Sequence, residues 1–140
     1  MDVLAERTGT HAPSLYRLLR ALESIGVFTR PSPRAFGNNA ASECLRKNAP
    51  GSQWAIVRLT LTGTQCDAWT GLLDSLKTGK TAFDQLYGCN LWQFYQRNRE
   101  WSDIFNEAMR SLSVAMTPAV TASVDWTRFP LIADVGGEGF

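Results

Sequence analysis

The sequence predicts a mainly α fold that opens with a winged-helix module, and three observations carry that expectation. Apolar residues recur at helical spacing through most of the 140 residues. Glycines follow several of these stretches where a helix would stop. One segment, Pro31-Ser32-Pro33 between two short β-prone pieces, interrupts the pattern as a hairpin rather than a helix. At 44% hydrophobic and 19% charged, with five Trp and seven Phe, the composition is that of a globular chain and is too apolar for disorder.

The elements follow in order. The stretch VLAERTG reads as a short helix closed by Gly9. THAPSLYRLLRALESIG reads as a second, with Pro13 suited to its first turn and Gly26 to the residue past its end. Leu15, Leu18, Leu19, Leu22 and Ile25 share one face of it. VFTRPSPRAFG then supplies the hairpin, which completes a helix, turn, helix and wing. AASECLRK is a further short helix before the loop NAPGS.

From Ser52 the spacing is helical again. QWAIVRLTL is one helix and QCDAWTGLLDSLKTG, closed by Gly79, is the next; AFDQLYG is expected as a loop, and NLWQFYQRN as a short helix rich in aromatics. The longest helix should start near Glu100, where Trp101, Ile104, Phe105, Ala108, Met109, Leu112, Ala115 and Met116 predict one buried stripe over four turns. Pro118 removes a backbone donor and is expected to kink or restart that helix. DWTRFP is a linker, and LIADV reads as an apolar strand of the kind buried in a parallel sheet. The composition shift at Phe129-Pro130 sets two units, residues 1–129 and 130–140.

Several function classes are disfavoured. A net charge of +1 gives no global field to attract nucleic acid or an anionic membrane, although residues 1–50 carry seven Lys/Arg against four Asp/Glu. The first turns of the second helix, HAPSLY, offer a base edge only His11, Ser14 and Tyr16, with Arg17 and Arg20 able to touch phosphate. A DNA-binding regulator is therefore the alternative, and a winged helix used for packing or dimerisation the preferred reading. Cys44, Cys66 and Cys89 are odd in number and widely spaced, and the chain has one histidine, so neither a metal site nor a disulfide framework is expected. No apolar run reaches spanning length and the start shows no signal pattern, which leads to a cytoplasmic expectation.

Two stretches carry chemistry. Phe105 and Met109, one turn apart, suit either the core or the apolar wall of a pocket for a flat aromatic guest. DVGGEG places glycines after the expected strand, where a backbone can approach a ligand closely.

The stretches LAERTGTHAPSLYRLLRALESIGVF, AWTGLLDSLKTGKTAFDQLYG, FNEAM and DVGG, in this order and spacing, resemble the winged-helix-containing, S-adenosylmethionine-dependent O-methyltransferases of plant caffeate type and of bacterial small-molecule pathways. The resemblance implies a helical module that forms a homodimer and covers one side of the acceptor pocket, and a Rossmann-like domain that holds S-adenosyl-L-methionine. It implies an acceptor wall at Phe105 and Met109, donor contacts at Asp134, Gly136 and Gly137, and methyl transfer to a hydroxyl of a small aromatic or polyketide-like molecule. The family's base, a histidine of the C-terminal domain, has no counterpart, and His11 does not replace it; no catalytic residue is assigned. The chain is expected to be an N-terminal portion, inactive by itself. Where the family has DVGGG-x-G this chain has DVGGEGF: either Glu138 and Phe140 replace two glycines, or the loop is one residue short, and both disfavour donor binding.

Overall fold

The computed structural model describes residues 2–133 and residue 135. Nine α-helices and one two-stranded sheet are formed among them, so the chain is mainly α as its spacing predicts. Helices α1 (Asp2–Thr8) and α2 (Ala12–Ser24) meet across Gly9, whose φ of 62° is the left-handed value that the turn requires. Strands β1 (Phe28–Ser32) and β2 (Ala35–Asn38) pair antiparallel as the wing, with Phe28 opposite Asn38. The wing is fastened to α2 where the Tyr16 hydroxyl donates to the Pro33 carbonyl at 3.0 Å and the Tyr16 ring meets Phe36 edge-on.

Helix α3 (Ala40–Glu43) is shorter than expected, opened by an Asn39/Ser42 capping box. The main core lies between α4 (Trp54–Leu61) and the long α9 (Arg99–Ser123). Ala55 and Ala108 are buried at this contact with Leu59 and Ile104; Ala108 is 0% exposed, and small residues at a crossing let two helices approach closely. An Arg58–Glu100 ion pair at 3.0 Å joins the same two helices at the surface.

Five expectations need correction. AFDQLYG is not a loop but α7 (Ala82–Tyr87): Thr81 accepts from the Asp84 amide at its start and left-handed Gly88 ends it. A six-residue helix is too short to display a period, so only its caps announce it. QCDAWTGLLDSLKTG is two helices, α5 (Gly63–Thr70) and α6 (Leu72–Thr78), broken at Gly71. There α7 comes so close that a Cβ on Gly71 would lie 2.8 Å from the Ala82 methyl.

The stripe on α9 is buried only at Ile104 and Ala108; from Leu112 onward its apolar residues are exposed, because the elements packed on it, α4 and α8 (Leu91–Arg97), cover only its first half. The helix also runs through Pro118 as one element instead of restarting. Proline removes one bond of the ladder, to Val114, and the bonds on either side continue. Finally, the described part of the strand expected at 131–135 is not formed: Leu131, Ile132 and Ala133 are irregular and exposed, and the only strands among the described residues are β1 and β2. A strand exists by pairing, and these residues find no neighbour to pair with.

Candidate acceptor-pocket wall on helices α8 and α9

The candidate site grows from one well-capped helix. Asn90 accepts from the Gln93 amide at 2.9 Å, and the Gln93 side chain accepts in return from the Asn90 amide at 3.3 Å, which fixes the first turn of α8. The Asn98 side chain donates to the Phe94 carbonyl at 2.9 Å and closes its last turn. Between these caps Trp92 and Tyr95 are three positions apart, so both rings turn to the same side and meet α9.

Phe105 is where they meet it. Its ring lies 4.9 Å from Tyr95, tilted by 35°, and 5.8 Å from Trp92, nearly perpendicular at 89°. Both are the offset and edge arrangements that aromatic quadrupoles favour. The cluster continues through Phe94 to Tyr87 and Phe83 on α7, with centroids 5.2 and 5.6 Å away. Tyr87 donates to Asp67 Oδ2 at 3.0 Å and so ties α7 to α5. Met109, one turn after Phe105, is 37% exposed.

The structure thus places both sequence-predicted acceptor residues on α9, Phe105 half-buried against rings and Met109 partly exposed. Asp134, Gly136 and Gly137, the expected donor contacts, lie outside the described residues. His11 sits at the start of α2 and engages Ser14 Oγ through Nδ1 at 3.0 Å, with no place in the aromatic cluster. Among the described residues no group of three or more His, Cys, Asp or Glu side chains is arranged to hold a metal ion. No helix there is long and apolar enough to cross a membrane.

Trp92 and Tyr95 are the residues that sequence reasoning left unassigned. The signal was available, since N-x-x-Q is a capping box and W-x-x-Y after it fixes a helical face. Tyr95 is 5% exposed and its hydroxyl finds no hydrogen bond of ordinary geometry. Burial pushes its phenol above the usual value, an effect that the nearby Gln65 side chain partly offsets. Tyr87 is raised as well, by burial first and then by the Asp67 carboxylate that it touches.

Comparison with known proteins agrees with this architecture. Residues 69–139, just over half of the chain, match the model of the O-methyltransferase domain family. The chain belongs to that O-methyltransferase family. Among curated relatives of the family, phenazine O-methyltransferase from Lysobacter antibioticus is 33% identical over 137 residues, covering 97% of this chain and 40% of that protein. Aclacinomycin 10-hydroxylase from Streptomyces purpurascens is 31% identical over 137 residues, covering 96% of this chain and 37% of that protein. The crystal structure of LaPhzM superposes with a TM-score of 0.84 at 33% identity, over 89% of this chain and 37% of that one. NcsB1, an O-methyltransferase from neocarzinostatin biosynthesis solved with S-adenosyl-L-homocysteine and 1,4-dihydroxy-2-naphthoic acid, gives 0.62 at 28% identity, over 89% of this chain and 38% of that one. The chain therefore spans about 40% of the length of the curated relatives that it matches.

Proposed function

We propose that these residues supply the dimerisation module and one wall of the acceptor pocket of an O-methyltransferase acting on a hydroxyl of a small aromatic or polyketide-like molecule. The observation that carries this reading is the pairing of Phe105, braced by two rings, with exposed Met109 one turn on. A rigid ring beside a polarisable, adaptable thioether suits a planar guest. S-adenosyl-L-methionine supplies the methyl group in this reading, with Asp134, Gly136 and Gly137 as its contacts. Residues 1–129 form the module and 130–140 begin the donor-binding unit, in which Leu131–Val135 would gain strand partners.

The membership of a hydroxylase among the relatives makes the acceptor wall a better guide to this chain than the reaction name. What the wall does is hold and orient: placing the hydroxyl in line with the methyl group is where much of the rate arises in such a transfer. The exposed apolar residues Leu18 on α2 and Ile25 at its C-terminal cap, together with Val114, Met116 and Val120 on α9, are surfaces for a second copy in a homodimer. All three side chains at the start of α2 that could read a base are engaged within the protein, His11 with Ser14 and Tyr16 with Pro33, which supports the packing role over a nucleic-acid one. A cytoplasmic location is part of the same proposal.

The test is direct binding. Isothermal titration of the 140-residue chain with 1,4-dihydroxy-2-naphthoic acid should give saturable binding that weakens in Phe105→Ala and in Met109→Ala. Binding unchanged by either substitution would refute the wall. In a labelled-methyl assay the 140-residue polypeptide by itself should show no turnover, since its one histidine is occupied elsewhere. Turnover would overturn the reading that these 140 residues carry no catalytic base.

A further inference from the structure

Glu107, Arg110, Ser111 and Val114 follow one another at helical spacing along α9, on the side turned away from Phe105. They form one bank of a groove of about 420 Å³, whose other bank is the segment 47–53 between α3 and α4. That segment is held in shape. The Gln53 amide donates to the Cys44 carbonyl and the Ser52 hydroxyl to the Arg46 carbonyl, both at 2.7 Å. The Lys47 ammonium rests over the Trp54 ring, 4.8 Å from its centroid. The groove is therefore built by the fold.

Its charges are not neutralised within the protein. Glu107 and Arg110 have the spacing of Glu43 and Arg46, which pair at 2.7 Å, yet among the described residues neither is in an ion pair, and nor is Lys47. One carboxylate and two cations thus line the groove, and Val114 and Ala115 make its end apolar. A simple anion entering it meets Glu107, and a simple amine meets Arg110 and Lys47; like charges so placed disfavour both. A ligand with adjacent ammonium and carboxylate groups satisfies all three. Side chains one turn apart have Cβ atoms roughly 5–6 Å apart, which suits the two charged groups on a single carbon.

We propose that this groove binds a free α-amino acid with an apolar side chain. The ammonium meets Glu107, the carboxylate lies between Arg110 and Lys47, and the side chain runs along Val114 and Ala115. This site is separate from the acceptor wall and does not depend on it.

Amide NMR titrations at pH 7 with L-leucine and two analogues that each lack one charge, 4-methylpentanoic acid and 3-methylbutylamine, test this. Leucine should give saturable shifts at residues 47–53 and 107–115, and each analogue should bind about two- to five-fold more weakly, the range of one exposed ion pair. Glu107→Gln should weaken leucine by the same factor and leave 4-methylpentanoate no weaker. Arg110→Gln should weaken both of these and leave the amine no weaker. Melting should not change in either variant, since neither side chain is in an ion pair, and a structural role would not reorder the three probes.

Equal binding of leucine and 4-methylpentanoate would reduce the groove to a general anion site and overturn the proposal, as would the absence of saturable shifts with leucine. If leucine instead lowers the molar mass in solution, Val114 lies between two copies and the proposal is overturned as well. None of these outcomes touches the acceptor wall, which is tested at Phe105 and Met109.

Discussion

Replacing Gly63 by alanine should destabilise the protein far more than the same change at Gly79, and the comparison isolates a single steric contact. Both glycines adopt left-handed backbone, with φ of 59° and 70°. A Cβ at Gly79 would meet nothing within 4 Å, whereas at Gly63 it would lie 2.5 Å from Trp101 Cζ2 and 2.6 Å from Cη2. Trp101 cannot retreat freely, since its half-buried ring packs against the α4–α9 core. The left-handed backbone costs an L-residue about 1–2 kcal/mol at either site. Overpacking against the indole adds about 1–3 kcal/mol at Gly63 alone.

With a melting entropy of roughly 2.1 cal/mol/K per residue, a 140-residue chain loses about 3 °C of Tm per kcal/mol. Gly79→Ala should therefore lower Tm by about 3–7 °C and Gly63→Ala by about 7–17 °C, read by circular dichroism on heating. A Gly63→Ala/Trp101→Ala double variant should be less destabilised than the sum of its parts, because truncating the indole removes the clash. Equal shifts at the two glycines, or strict additivity in the double variant, would refute the close-approach argument.

Other expectations follow from the same geometry. Tyr95→Phe should be at least as stable as the parent at pH 7, since it removes a buried hydroxyl without a partner. It should also lose less stability in alkali. The folded phenol is raised above 10.0, so its contribution is fully present below pH 10 and is lost as pH rises through the folded value. Marked destabilisation of Tyr95→Phe at pH 7 would show that the hydroxyl is bonded after all. Leu18→Asp places a charge on the exposed face of α2 shared with Ile25, and sedimentation should show the parent as two chains and the variant as one. A parent that sediments as a single chain at high concentration would remove the dimer proposal.

By itself the sequence determined the winged-helix order of elements, the position of Phe105 and Met109 on the long helix and the family. These are local matters: caps, glycines at positive φ and helical spacing act within a few residues, and the motifs are contiguous. Gly9, Gly26 and Gly79 all end their turns as the sequence predicts. Tertiary structure decided how far each apolar stripe is covered. Nothing in the spacing of α9 distinguishes Ala108, fully buried beneath α4, from Met116, which lies past the end of its neighbours. It also decided that Gly71 breaks a helix, because Ala82 approaches there, and that Leu131–Ala133 stay irregular, because a strand needs a partner that its own residues cannot specify. The aromatic cluster of Trp92, Tyr95 and Phe105 came from both levels: the capping box fixes where α8 begins, and the contact with α9 brings its rings together.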